Sequence, residues 1–113
     1  MKRGEVWTVA GGAPYLSKPR PVAILQSDAF AETDSVTVCP LTTDATDAPL
    51  LRIRVEPGGT SGLREPSWLM ADKITTVARA RLGAKIGMLE PTDMAGLSFA
   101  ALVFLNLIGR NSD

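Results

Sequence analysis

The chain has 113 residues, enough for one hydrophobic core, so we expect residues 1–113 to form a single domain. Twelve basic and twelve acidic residues cancel, which excludes a general nucleic-acid coat protein, because such proteins need clustered Lys and Arg. The absence of histidine and the single cysteine, Cys39, exclude histidine-based triads, most zinc sites and an internal disulfide.

Charge is spread unevenly along the chain. Segment 28–47 holds five acidic residues and no basic one, whereas segment 52–85 holds seven basic residues against three acidic ones. Such a chain can carry one positive face, although a solvated mixed surface explains the same counts. No signal peptide or membrane-length apolar run is evident, and one cysteine suits a reducing compartment. We therefore expect a cytoplasmic protein without membrane contact.

Most of the chain has the pattern of short strands. Period-two alternation and β-branched runs predict strands over residues 4–9, 22–26, 35–41, 50–56, 67–77 and 84–89. Between the first two, the loop 10–19 contains two glycines and two prolines. A ten-residue loop in so small a domain is more often functional than idle.

The C-terminal segment changes to a helical period. Pro91 stands where a first helical position is expected, and Gly109 where a helix would stop. Apolar residues lie nearly all round this helix, so more than one side must be covered, which favours a homodimer. Short strands, long loops and a terminal helix predict a mainly β fold: a small, partly open antiparallel β-barrel of the SH3-like or CcdB-like type, with the helix packed on it.

The residue types that remain restrict the possible chemistry. The acids occur mostly in predicted loops, at no spacing typical of a two-metal site, so no metal or cofactor is expected. A metal-free enzyme without histidine suits RNA, because RNA carries its own nucleophile, the 2′-hydroxyl. The protein then only has to orient that group, help move protons and stabilise a dianionic transition state.

Five blocks of the sequence resemble the MazF/PemK family of toxins. They are RGEVW at 3–7, KPRPVAILQS at 18–27, VTVCPLTT at 36–43, PSWLMADKITTVARARL at 66–82, and the C-terminal helix ending in LIG at 107–109. Each block alone is weak evidence. Together, in order and at compatible spacing, they cover almost the whole chain.

The resemblance implies a function and a catalytic pair. Members of this family are mRNA interferases: toxins of type II toxin–antitoxin systems that cut single-stranded RNA at short motifs without metal, and that an antitoxin of the MazE/PemI type holds inactive over the toxin dimer. The arginine of the family's RP block corresponds to Arg20, and the threonine after its third strand corresponds to Thr42. From the residues alone, an ion pair of Arg20 with an acid of segment 28–47, and a turn-forming role of Thr42 beside Asp44, remain open.

Further residues match weaker positions of the family pattern. Ser67, Lys73 and Arg81 fall in the block in which family members place RNA-contacting residues, and Lys18 flanks Arg20. The position of Lys73 is frequently Gln in the family, which favours a phosphate contact over base reading. The loop 10–19 is shorter than the common form and lacks the Glu-Gln pair often found before RP, so sequence preference does not carry over.

Two other functions share parts of this pattern. A CcdB-type gyrase poison has the same architecture but uses an aromatic-containing C-terminal tail, whereas residues 109–113 (GRNSD) contain no tryptophan. An SH3-like adaptor would need an aromatic groove for Pro-rich peptides, and the six aromatic residues here are few and scattered. Both are therefore less well supported than a ribonuclease.

Overall fold

The computed structural model describes residues 1–10, 19–45, 48 and 50–107. Most of the loop 10–19, including Lys18, and the predicted stop Gly109 lie outside them. The elements are β1 (Glu5–Val9), β2 (Arg20–Ile24), β3 (Ser35–Thr42), β4 (Arg52–Val55), β5 (Ser67–Met70), β6 (Thr75–Ala78), β7 (Leu82–Met88) and α1 (Pro91–Phe104). The predicted mainly β fold with a C-terminal helix is confirmed.

The strands form one antiparallel sheet in the order β4-β5-β3-β2-β1-β7. The long strand β3 is its centre: residues 35–38 pair with β6, and Leu41 and Thr42 pair with β5, while β2 lies along its other edge. Among the described strands, β4 and β7 end the order without pairing to each other, so the sheet is bent but open.

Two groups of buried side chains occupy the two faces of the sheet. The larger group lies between the bent sheet and α1, and it includes Val6, Cys39, Leu69 and Leu97, all with no exposed surface. The smaller group lies on the other face: Val22, Ile24, Val36 and Val38. Because side chains alternate along a strand, this division assigns every strand residue to one face or the other.

The predicted strand over 67–77 is wrong in its middle. A 3-10 helix, Ala71–Lys73, separates β5 from β6 and takes three residues out of the ladder. Buried Ala71 donates its N–H to the Leu51 carbonyl, and Asp72 receives two hydrogen bonds from Arg52 at 3.0 and 3.1 Å. The prediction from period-two alternation missed this 3-10 helix because the residues on both sides of it have the pattern of strands.

The predicted end of the helix near Gly109 is also wrong. The helix ends at Phe104, and Asn106 adopts a left-handed conformation with φ 56°. The Leu107 N–H donates to the Leu102 carbonyl at 2.8 Å, and the Asn106 N–H donates to the Val103 carbonyl at 3.2 Å. This is a Schellman motif, in which asparagine replaces the usual glycine.

A buried carboxylate, Glu5, fastens the start of the sheet. It accepts hydrogen bonds from the Lys2 N–H and the Trp7 indole, both at 3.0 Å, and it pairs with Lys85 of β7 at 3.2 Å. Burial raises the pKa of Glu5, but these three partners outweigh burial and lower that pKa from 4.5 to about 2. The folded state therefore binds the Glu5 proton more weakly than the unfolded chain does.

This depressed pKa predicts acid sensitivity. The carboxylate stabilises the fold fully above pH 4.5, and this stabilisation is lost as the pH falls from 4.5 towards about 2. We expect a loss of roughly 2–3 kcal/mol in the free energy of unfolding across that window, measured by urea titrations at several pH values. Glu5→Gln should be less stable at pH 7 and lose less on acidification. An equally steep loss in the variant would contradict this role of Glu5.

Candidate active site

An open cavity of about 490 Å³ lies at one end of the sheet. It forms where β2 begins and β3 ends, and the segment leading into β5 closes one side. The lining residues are Pro19, Arg20, Pro21, Leu41, Thr42, Thr43, Leu63, Arg64, Glu65 and Ser67. Both members of the predicted catalytic pair are among them.

The sheet register places Arg20 beside Thr42. Strands β2 and β3 are antiparallel, with Val22 opposite Pro40. Continuing that register by two residues on each strand sets Arg20 opposite Thr42. Directly opposite residues of an antiparallel pair share one face of the sheet, so the two side chains leave the sheet on the same side.

The backbone at Arg20 is held while its side chain remains available. Arg20 is exposed, and its neighbours Pro19 and Pro21 restrict the chain around it. Val9 of β1 pairs with it on the other side. Within the described part of the chain Arg20 makes no ion pair or side-chain hydrogen bond, so none of the described acids of segment 28–47 engages it.

Thr42 makes the turn contact expected from its sequence and also lines the cavity. Its hydroxyl oxygen accepts the Asp44 N–H at 3.1 Å, which is the predicted turn contact. This bond orients the oxygen and leaves the hydroxyl proton free to be donated. A hydroxyl held in this way can donate to a phosphate oxygen in the cavity.

The weaker candidates are dispersed. Ser67 lines the cavity but is 3% exposed and donates its hydroxyl to the Glu65 carbonyl at 3.0 Å. Lys73 is exposed in the 3-10 helix after β5 and does not line the cavity. Arg81 is exposed and donates to the Ala10 carbonyl, beside the end of β1. Of the described weaker candidates, only Ser67 reaches the cavity.

Two cavity residues, Arg64 and Glu65, were missed from the sequence. Both are exposed charged residues in an irregular segment, a pattern that solvated loops share. Gly62 positions this segment: it has φ +73°, and a Cβ there would lie 1.8 Å from the Ile86 carbonyl oxygen. Arg64 adds a second guanidinium to the cavity, and Glu65 adds a carboxylate able to accept a proton.

Other kinds of site lack support in the described residues. No three Asp, Glu or Cys side chains there are close enough together to hold a metal ion. Burial raises the pKa of the Cys39 thiol to about 12, so the thiol stays protonated and is a poor nucleophile. No helix within the described ranges has the length and apolarity to span a membrane.

Known proteins resemble this chain over nearly its whole length. Residues 2–103 match the family profile described as PemK-like, MazF-like toxin of type II toxin–antitoxin system. A protein of Mycolicibacterium smegmatis named "Probable endoribonuclease MazF" is 52% identical over 109 residues, covering 96% of this chain and all of the relative.

Solved structures resemble the fold throughout. A mycobacterial endoribonuclease in complex with its cognate antitoxin has a TM-score of 0.78 at 25% identity, covering 97% of this chain and 99% of that one. The Mycobacterium tuberculosis toxin MazF-mt6 has a TM-score of 0.77 at 25% identity, covering 90% and 96%. The predicted family and enzyme class are thereby confirmed. The chain belongs to the PemK-like, MazF-like toxins of type II toxin–antitoxin systems.

Proposed function

We propose that this protein cuts single-stranded RNA, including mRNA, at short sequence motifs through attack of the 2′-hydroxyl, without a metal ion. Cleavage of mRNA would stop translation and growth. The observation that carries the proposal is the position of Arg20 and Thr42, on neighbouring strands and on one face, at the mouth of an open cavity. The name of the 52% identical relative, an endoribonuclease, supports the same substrate class.

In the proposed reaction the 2′-oxygen forms a bond to the adjacent phosphorus and loses its proton. The phosphorus–O5′ bond breaks, and the leaving 5′-oxygen takes up a proton. The products are an upstream fragment with a 2′,3′-cyclic phosphate and a downstream fragment with a 5′-hydroxyl. No external nucleophile enters this step, so the protein supplies only orientation, charge and proton transfer.

Arg20 and Thr42 would stabilise the pentacoordinate phosphorane. A guanidinium presents a planar fork of N–H donors that fits two phosphate oxygens. A guanidinium stays protonated near neutrality and is therefore a poor base, so its main role is electrostatic. Proton donation to the leaving oxygen is compatible with that role. Thr42 would donate its free hydroxyl proton to a non-bridging oxygen. Lys73 and Arg81 do not line the cavity and would contact the RNA backbone farther from the reacting phosphate. Lys18, which flanks Arg20 in the sequence, would also contact the backbone.

We further propose that the protein acts in the cytoplasm as a homodimer, and that a MazE/PemI-like antitoxin blocks the cavity that contains Arg20 and Thr42. The outer face of α1 is apolar and uncovered: Phe99 is 57% exposed and Leu105 is 52% exposed. An apolar groove lies at the C-terminal end of this helix and is lined by Ala48, Leu50, Leu51, Val103 and Phe104. One structural neighbour was solved with its cognate antitoxin, which supports a partner of that kind.

The proposal is tested with purified protein and a long unstructured RNA in excess EDTA. We expect discrete cleavage products with a cyclic phosphate on the upstream fragment, identified by mass spectrometry of the fragment ends. A requirement for added Mg²⁺, or upstream fragments that end in a free 3′-hydroxyl, would contradict the proposed chemistry. Protein that cuts no RNA but arrests gyrase would favour the CcdB-type alternative.

A further inference from the structure

A row of paired residues extends from the catalytic pair across the sheet. Thr42 of β3 lies opposite Trp68 of β5, and Trp68 lies opposite Arg54 of β4. Since directly opposite residues share a face, Arg20, Thr42, Trp68 and Arg54 leave the sheet on the same side. Neighbouring strands are about 4.8 Å apart, so the indole stands one strand away from Thr42.

Trp68 belongs to neither group of buried core residues. Its neighbours in β5, Ser67 and Leu69, are 3% and 0% exposed and face the main core, whereas Trp68 faces the other way and is half-buried. The Arg54 guanidinium lies 5.5 Å from the centroid of the indole ring. Arg54 is itself paired with Glu56 at 2.7 Å. The indole is therefore held by a cation–π contact on the outer surface of the sheet, not by core packing.

A large aromatic ring in this position suits one kind of ligand group. Every nucleobase has a π face, and bases of single-stranded RNA are free to leave their own stack and lie on an aromatic side chain. A phosphate held by Arg20 and Thr42 would bring the base of a neighbouring nucleotide within reach of the next strand. Arg54 would keep the ring in position.

We propose that Trp68, held by Arg54, is the stacking platform for a nucleobase next to the scissile phosphate. The inference rests on the proposed function, because it needs a single-stranded RNA in the cavity. Its consequence is specific: Trp68 contributes to RNA affinity and to the choice of nucleotide at one flanking position. It contributes little to the chemical step itself.

The experiment pairs a protein variant with a change in the RNA. Once the cleavage motif is mapped, an oligonucleotide with a 2′-deoxy group at the cleaved position binds without being cut. Removing one base at a time from it makes a series of abasic probes. The Kd of each probe is measured for wild type, Trp68→Ala and Trp68→Phe, with Trp7→Phe as the matched control because Trp7 belongs to the hydrogen-bonded start of the sheet.

At one flanking position we expect the abasic change to weaken wild-type binding about tenfold. Trp68→Ala should weaken binding of the intact probe by a similar factor, and the same abasic change should then cost it almost nothing. In Trp68→Phe the abasic change should still cost most of what it costs wild type, because phenylalanine can also stack on a base. In Trp7→Phe it should cost the same as in wild type. The single-turnover cleavage rate at saturating protein should change less than threefold in Trp68→Ala.

Three results would overturn the platform. The first is that, at every position, removing the base raises the Kd by the same factor in wild type and in Trp68→Ala. The second is equal affinity of wild type and Trp68→Ala for the intact probe. The third is a Trp68→Ala or Trp68→Phe variant whose mass in solution is half that of wild type, which would make Trp68 part of a subunit contact. If wild type neither binds nor cuts RNA, the proposed function itself fails, so the two failures are distinguishable.

Discussion

Arg20→Ala is expected to lower the rate of RNA cleavage by about a thousandfold while the protein stays folded. Removing one preorganised donor from a developing oxyanion typically costs 10²–10³ in rate, and an arginine that faces a transferring phosphoryl group costs about 10³–10⁵. The Arg20 side chain is exposed and makes no ion pair or hydrogen bond with the described residues. Its loss should therefore change the free energy of unfolding by less than about 0.5 kcal/mol. Single-turnover cleavage and urea unfolding measure the two effects separately.

Two further variants make this result specific. Arg20→Lys keeps the charge but loses the planar fork of donors, so it should recover only part of the rate. Lys2→Ala removes an exposed cation at the opposite end of β1 and should cut RNA at the wild-type rate. If Arg20→Ala cuts RNA as fast as wild type does, Arg20 has no part in the mechanism.

Phe99→Lys is expected to convert the proposed dimer into monomers. Phe99 is 57% exposed on the single chain, and Leu102, Phe104 and Leu105 of the same helical region are each at least 40% exposed. Contiguous apolar surface of this kind is unfavourable in water and marks a contact with another protein surface. An ammonium group buried there without a partner would be strongly destabilising, so we expect the dimer Kd to rise more than a hundredfold.

Light scattering at about 10 μM would show this change as a twofold drop in mass. The matched control is Phe30→Lys, because Phe30 is 63% exposed on a different element, the 3-10 helix Asp28–Phe30, and should leave the mass unchanged. Wild-type protein that is already monomeric at this concentration would refute the dimer. An unchanged mass for Phe99→Lys would move the subunit contact away from this face of α1.

Some features of the fold were readable from short stretches of sequence. The alternation of buried and exposed residues predicted β1, β3 and β4 to within two residues at each end, because burial on one face of a strand imposes a period of two. The start of α1 at Pro91 was also correct, since proline needs no N–H partner at a first helical position. The RP block and the threonine after the third strand indicated Arg20 and Thr42, and their catalytic role stays a prediction.

Other features depend on contacts between distant residues. The 3-10 helix between β5 and β6 is stabilised by two contacts, each between residues twenty positions apart in the chain. Arg52 donates hydrogen bonds to Asp72, and the Leu51 carbonyl accepts the Ala71 N–H. The early end of α1 depends on the left-handed conformation of Asn106, which composition alone does not require. Local patterns carry no information about such pairings.

The sequence by itself determined the family, the mainly β architecture and the absence of histidine from any mechanism, because these follow from residue types and their order. Only the tertiary structure decided which charged groups share the cavity with Arg20: Arg64 and Glu65 line it, whereas Lys73 does not. It also set Trp68 beside Thr42, through the register of β5 on β3. The physical reason is that strand register and loop approach are fixed by packing between segments far apart in the chain.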